Sequence, residues 1–279
     1  MNRWRIRARG IIVRLPGYAQ KDEAPAMPIH HQSKGYHRGA AAYVAGRPGY
    51  PPEAETWLRE VLRLGPGRKA LEVGAGTGKF IPTLRQTGCQ IIALEPIAEM
   101  RAQLANAFPD ITALAGSADA IPLPDASVGA VVCAQAFHWF ATPEAVAEMR
   151  RVLVPGGVLG LIWNGRDEDV PWVAALSEIT NRREGDTPRY RTGAWRHAFP
   201  ASGLAFISEQ HARNSHIGTA EEVVLKRALS VSFIAGLPAH ERAEVEQEVR
   251  ALIARTPELA GGKQVAFPYE TSMYGYRRI

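Results

Sequence analysis

Three glycines at alternate positions, Gly74, Gly76 and Gly78, follow directly on the apolar run Lys69–Val73 and precede a helical pattern. Glycines at such a junction let the chain turn sharply and let a ligand approach the backbone with no Cβ in the way. The first amides of the helix then face that ligand. Glu72 stands two residues before the first glycine, and Glu95 closes the next apolar run, seventeen residues after Gly78. In a doubly wound fold, a carboxylate at that strand tip can hold both hydroxyls of a ribose. The chemistry on offer is therefore the binding of a nucleoside-containing ligand. The spacing is not the G-x-G-x-x-G of dinucleotide binders, and Lys79 is followed by Phe80, so a P-loop fits poorly.

A second group of reactive types follows the most apolar run of the chain, Val128–Ala134: Gln135, then Phe137, His138, Trp139 and Phe140. In a parallel sheet this is the carboxyl edge, where a ligand lies, and the aromatics there can wall a pocket or simply plug it. His138 is the nearest candidate base by sequence. His30, His31 and His37 lie in a cysteine-free stretch without regular pattern, and no metal is expected from them. Cys89 and Cys133 are the only cysteines and read as buried strand residues, which excludes a disulfide framework or a cysteine zinc cluster.

The elements that must position these residues alternate. Helix predicted from Pro51 ends at Gly65-Pro66-Gly67, and strands are expected at Lys69–Val73, 89–94, 111–115, Val128–Ala134 and 158–163. Helices are expected at Ala98–Ala107 and 143–153. Five strands with helices between them predict a doubly wound core spanning 51–164. Beyond Asn164 the pattern loosens: a polar loop at 165–169, helices at 171–182, 219–229 and 238–255, a strand at 204–212, and a final strand broken near Thr271-Ser272. Residues 165–279 would then supply a lid and the last strands, and a short helix at 39–45 could close the same mouth.

On these motifs the chain resembles a class I S-adenosylmethionine-dependent methyltransferase, over residues 39–164 well and over the remainder loosely. The resemblance implies an α/β fold with a doubly wound, mostly parallel seven-stranded sheet and helical lid insertions, and S-adenosyl-L-methionine as cofactor. Glu72, Gly74, Ala75, Gly76, Thr77 and Gly78 match the family's cofactor loop, and Glu95-Pro96 its ribose-binding acid. Ser117-Ala118-Asp119-Ala120-Ile121-Pro122 resembles the segment that contacts adenine, which assigns Asp119 and Ala120 to the cofactor. Tyr43 and Arg47 match a Tyr and an Arg that close over the cofactor, the Arg meeting its carboxylate, and Gln135 would lie beside the methionine part. The turn Arg151-Val152-Leu153-Val154-Pro155-Gly156-Gly157 matches a structural motif that binds nothing itself.

Small-molecule members often carry His-Trp or Gln-Trp at the place of His138-Trp139; those similar to juvenile hormone acid and trans-aconitate methyltransferases methylate carboxylates. The resemblance thus implies Trp139 in the acceptor wall, with His138 as base only where an acceptor needs one. Methylation of a phenolic or quinone intermediate, and a non-catalytic cofactor-binding role, stay open at this point. No Asn/Asp-Pro-Pro-Tyr/Phe follows the fourth strand and no proline precedes Cys133, which disfavours DNA amino- and cytosine-C5-methylation.

Composition sets the remaining bounds. The 279 residues are 46% hydrophobic and 22% charged, an ordinary globular balance, and no apolar run reaches bilayer length. Most of the net charge of +5 sits in residues 1–26, which hold six basic and two acidic side chains. The body from Met27 is close to neutral, so a small-molecule acceptor is expected rather than nucleic acid or membrane. A cytoplasmic monomer or homodimer is the expected state. Residues 1–26 read as a transit-like peptide or as non-native upstream sequence, outside a single domain spanning 27–279. A chain beginning at Met27 should melt at the same temperature as the full chain and bind cofactor equally well; calorimetry of both checks this.

Overall fold

The structure, a computed structural model, describes residues 47–261 and 264–279. Residues 1–26, His30, His31, His37, Tyr43 and the short helix expected at 39–45 lie outside the described residues. The first four strands are β1 (Lys69–Val73), β2 (Gln90–Leu94), β3 (Thr112–Leu114) and β4 (Val128–Ala134). The last three are β5 (Leu153–Arg166), β6 (Leu204–Thr219) and β7 (Gln264–Arg278). They form one seven-stranded sheet in the order β3-β2-β1-β4-β5-β7-β6. β1 to β5 pair in parallel, and β7 runs antiparallel between β5 and β6. Strand order reverses between β1 and β4, so the loops leaving their carboxyl ends part and open a crevice.

Alternation along the central strands explains the layers, because successive side chains point to opposite faces. Leu71, Val131, Cys133, Leu159 and Leu161 pack on one face with Val146, Met149 and Val152 of α4 (Pro143–Val152). Ala70, Ala130, Val132, Val158 and Ile162 pack on the other with Trp57 and Leu58 of α1 (Pro52–Glu60), Leu62 just beyond it, and Leu84 of α2 (Ile81–Gln86). Small side chains on this second face let the helices approach closely. Pro52 and Pro143 each sit in a first helical turn, where a missing amide costs nothing, and the Thr142 side chain accepts from Ala145 N. Outside β2, α3 (Ala98–Ala107) follows the β2 tip.

Past the end of β5 the ladder of β6 and β7 continues alone, from Ser215↔Pro268 to Thr219↔Gln264. This two-stranded ribbon stands over the carboxyl edge of the sheet and carries a helical cap. The cap comprises α5 (Pro171–Asn181), a π-helical stretch Glu221–Lys226 running into α6 (Arg227–Leu229), α7 (Ser232–Ala235) and α8 (Ala239–Arg255). Trp172, Leu176, Val224, Ile234, Val245 and Val249 join Phe267 of the ribbon in a second core.

The expected seven-stranded, mostly parallel α/β fold is the observed one, with five local differences. β6, expected at 204–212, runs on to Thr219 because it keeps pairing with β7. The last strand does not break near Thr271 and Ser272: both are buried, and Thr271 Oγ1 donates to Asn164 Oδ1 at 2.5 Å. Cross-strand partners satisfy these hydroxyls, so polar residues at core positions need no turn. β5 extends through Gly165 and Arg166, expected in a loop, because they keep pairing with Glu270 and Tyr269. The helix expected at 219–229 opens instead as π-helix, behind a reciprocal cap in which Thr219 N donates to Glu222 and Glu222 N to Thr219 Oγ1. Cys89 precedes β2 and is only half-buried.

Gly160 tests the closeness of packing on the α1 face. A Cβ there would lie 2.6 Å from Leu62 Cδ2 and 2.7 Å from Trp57 Cη2. Both neighbours are fully buried and cannot give way freely. Gly160→Ala should therefore cost about 1–3 kcal/mol, read from urea unfolding, with an unchanged m-value.

Candidate active site

The glycine loop is pinned from two sides. Gly74 N and Ala75 N both donate to Leu94 O, at 2.9 and 3.1 Å, which ties the end of β1 to the end of β2. Gly74, Gly76 and Gly78 all adopt left-handed backbone, with φ of 72°, 59° and 86°, a conformation other residues avoid. A Cβ on Gly74 would also meet Ala136 Cβ at 2.7 Å, and one on Gly78 would meet Phe108 at 2.6 Å. Spacing and conformation thus have the same cause.

Glu95 is the organising side chain. It is buried, and its carboxylate accepts from Gly76 N at 2.8 Å and from Ile97 N at 2.9 Å. Burial pushes its pKa up, while the amides of Ile97 and Gly76 and the nearby Arg101 pull it back. Glu72, beneath the loop, has a buried Oε2 without a hydrogen-bond partner. Burial, and then the charge of Glu95, push its carboxyl from 4.5 up to about 8, so it is protonated at neutral pH.

These groups border a cavity of about 160 Å³ at the crevice between β1 and β4. Of the residues expected there, Arg47, Glu72, Gly74, Ala75, Gly76, Glu95, Pro96, Asp119, Gln135 and Trp139 line it. Three do not. Thr77 and Gly78 turn away beneath the loop, and Ala120 is exposed on the turn that Ala120 N closes on Ser117 O at 3.2 Å. Tyr50, Lys79, Ile97, Met100, Asn164, Arg227 and Tyr269 line the cavity without having been assigned to it from the sequence. Ile97 and Met100 carried a local signal, an apolar pair one turn apart just after Glu95. Arg227 and Tyr269 reach the site from the cap and its ribbon, and nothing near them in sequence marks them.

Gln135 ends β4 with φ of 56°, unusual outside glycine. It is held there by two bonds to β5, Gln135 N to Ile162 O at 2.9 Å and Nε2 to Asn164 O at 3.0 Å. The strained residue stands where this cavity meets a second one of about 260 Å³. Arg47, Trp139, Asn164 and Arg227 border both as well. His138 lines the second cavity only. Trp163 Nε1 donates to its Nδ1 at 3.1 Å, and an indole nitrogen can only donate. Nδ1 is therefore the accepting nitrogen and Nε2 carries the hydrogen. Burial, then Arg189 and Arg47, hold the His138 pKa down at about 3, so the ring is neutral at physiological pH.

S-adenosylmethionine fits the first cavity on its donors and acceptors. Glu95 keeps acceptor capacity for two ribose hydroxyls, and the buried Ser117 Oγ, with no hydrogen-bond partner in the protein, lines the same cavity as Asp119 and is open to a polar group of the ligand. The raised Glu72 carboxyl suits a cationic neighbour, and Arg47 with Lys79 suits a carboxylate. Burial, and then Arg47, lower the Lys79 pKa, a strain that an anion would relieve. Fold and site together define a class I methyltransferase.

Comparison with known proteins agrees. The family model described as a methyltransferase domain matches residues 71–161. An uncharacterised methyltransferase-like protein of Schizosaccharomyces pombe is 38% identical over 242 residues, covering 86% of this chain and 94% of that one. An uncharacterised methyltransferase of Mycobacterium tuberculosis is 40% identical over 230 residues, covering 82% and 90%. The solved structure of a putative type II methyltransferase from Anaeromyxobacter dehalogenans shares the fold, with a TM-score of 0.63, 24% identity and coverage of 83% and 97%. The chain belongs to the S-adenosylmethionine-dependent methyltransferases.

Gly76 offers the sharpest test of the cofactor site. Aspartate there would have to adopt φ near 59° and would bring a second carboxylate to the amide that holds Glu95. Gly76→Asp should abolish cofactor binding while the far-ultraviolet spectrum stays native; titration calorimetry showing wild-type affinity would contradict the assignment.

Proposed function

We propose that the protein methylates a carboxylate oxygen of a small organic acid. The observation that carries this reading is the locked state of His138: a neutral ring with Nδ1 taken by Trp163. A phenol or alcohol must lose a proton as it is methylated and gains from a base within reach. A carboxylate is already anionic, and a histidine N–H is a donor to it. His138 then orients the acceptor as a hydrogen-bond donor, and removes no proton.

When bound, the cofactor supplies a methyl group on a cationic sulfur, which leaves as a neutral thioether. The chain's own work is alignment and exclusion of water. Trp139 borders both cavities where they meet and so walls the path along which acceptor and methyl group come together, with His138 next to it at 5.3 Å between centroids. Gln135, fixed by its two bonds to β5, forms the other side of the passage. The second cavity, of about 260 Å³, suits a small acceptor.

Trp139→Ala should reduce kcat far more than His138→Gln, which keeps a donor amide. Neither wild-type kcat nor kcat/KM should titrate between pH 6 and 8 on a histidine. Labelled-cofactor assays over a panel of acids and phenols check both points. A loss of about 10²–10⁴-fold on His138→Gln, with a histidine-like pKa in the wild-type rate, would return the acceptor to a phenol or hydroxyl.

A further inference from the structure

The second cavity is lined with cations. Arg166 ends β5, and its Nη1 donates to Ser177 Oγ and Thr180 Oγ1 of α5, each at 3.1 Å. These partners are uncharged, so they fix the guanidinium in place without neutralising it. Arg47, Arg189 and Arg227 line the same cavity. Arg191 lines it too but is paired with Glu184, which also lies 3.8 Å from Arg189. The acids on the wall are Glu168, which is exposed, and Glu270, which is engaged by His211 and Ser272. Tyr269 Oη accepts from Arg227 Nε at 3.3 Å. Burial, then Arg227, lower the Arg166 pKa to about 9; Arg189 adds to this, while Tyr269 and Glu168 oppose it. Cations held so close and so poorly hydrated disfavour one another, and an oxyanion among them reverses that cost.

We propose that this cavity takes a second oxyanion of the acceptor, a carboxylate or a phosphate, with Arg166 as its anchor and Arg189 and Arg227 beside it. The inference rests on the carboxylate reading above, and it narrows the substrate class to acids bearing a second anionic group. Since Arg47, Gln135 and Trp139 border both cavities, one molecule can present its first carboxylate at the passage while its far end meets Arg166.

Binding and turnover test it separately. Glutarate, 4-phosphonobutyrate and butyrate are titrated by calorimetry into the protein saturated with S-adenosylhomocysteine, then assayed as acceptors with labelled cofactor. At least one of the two dianions should bind about tenfold or more tightly than butyrate, the change expected of one added charge-assisted contact. The preferred dianion identifies the anionic group. Arg166→Met should erase the preference, and Arg166→Lys should restore part of it. Arg189→Met should weaken it as a second variant, and unaltered S-adenosylhomocysteine affinity certifies the fold of each. Equal binding of dianions and butyrate by the wild type, or a preference that survives in Arg166→Met, overturns the proposal. Tight dianion binding with no methyl transfer to any acid would leave the subsite standing and overturn the carboxylate reading instead.

Discussion

The hydrogen bond from Gly76 N to Glu95 Oε2 holds the cofactor half of the molecule together. It joins the loop after β1 to the tip of β2, and the partner oxygen of the same carboxylate fixes Ile97 at the approach to α3. The bond demands a backbone that bends with positive φ at position 76, hence glycine. It also demands a buried carboxylate that remains an acceptor despite desolvation, which two amides and Arg101 support. Remove it, and the loop, Glu95 and the start of α3 lose their common reference.

The second cavity depends on a different element. β5 delivers Ile162, Asn164 and Arg166 in succession to the carboxyl edge, and each fixes something beyond itself. Ile162 and Asn164 accept the two bonds that hold Gln135 in its strained conformation. Arg166 reaches the hydroxyls of α5 and so links sheet to cap. Trp163, between them, points to the opposite face and sets the tautomer of His138. A single strand end thereby places both the passage between the cavities and the charge at the far wall.

Local pattern made the core legible. Val128–Ala134, Ala98–Ala107 and Lys69–Val73 lie where apolar periodicity and the flanking glycines put them, because each buries its surface against immediate neighbours. The place of Glu95 and the glycines at the crevice was equally readable, since the left-handed loop and its bond to Glu95 need those residue types at that spacing. The second half resisted for an identifiable reason. Thr271, Ser272 and Gly165 are strand residues whose polar or small side chains are satisfied by partners far away in sequence, so no window around them shows a strand. Arg166, Arg189 and Arg227 look like surface arginines until the ribbon of β6 and β7 and the cap bring them to one cavity. A helix at 219–229 was legible, but its Thr219–Glu222 cap was not read, and it begins in an unusual winding that no local pattern encodes.

The order of the chain carries a further consequence of the ribbon-borne cap. The stretch matching the methyltransferase domain model ends at residue 161, before Arg166, Arg189 and Arg227. On the acceptor site proposed above, donor chemistry and acceptor choice are written in consecutive paragraphs of the sequence. Insertions or replacements after residue 166 would then rewrite what receives the methyl group while the donor text is left untouched. Arg227 and Tyr269 are the exceptions, because both border the cofactor cavity as well. They are the proofreading marks between the two paragraphs: any new cap must still present an acceptable side chain at those two places.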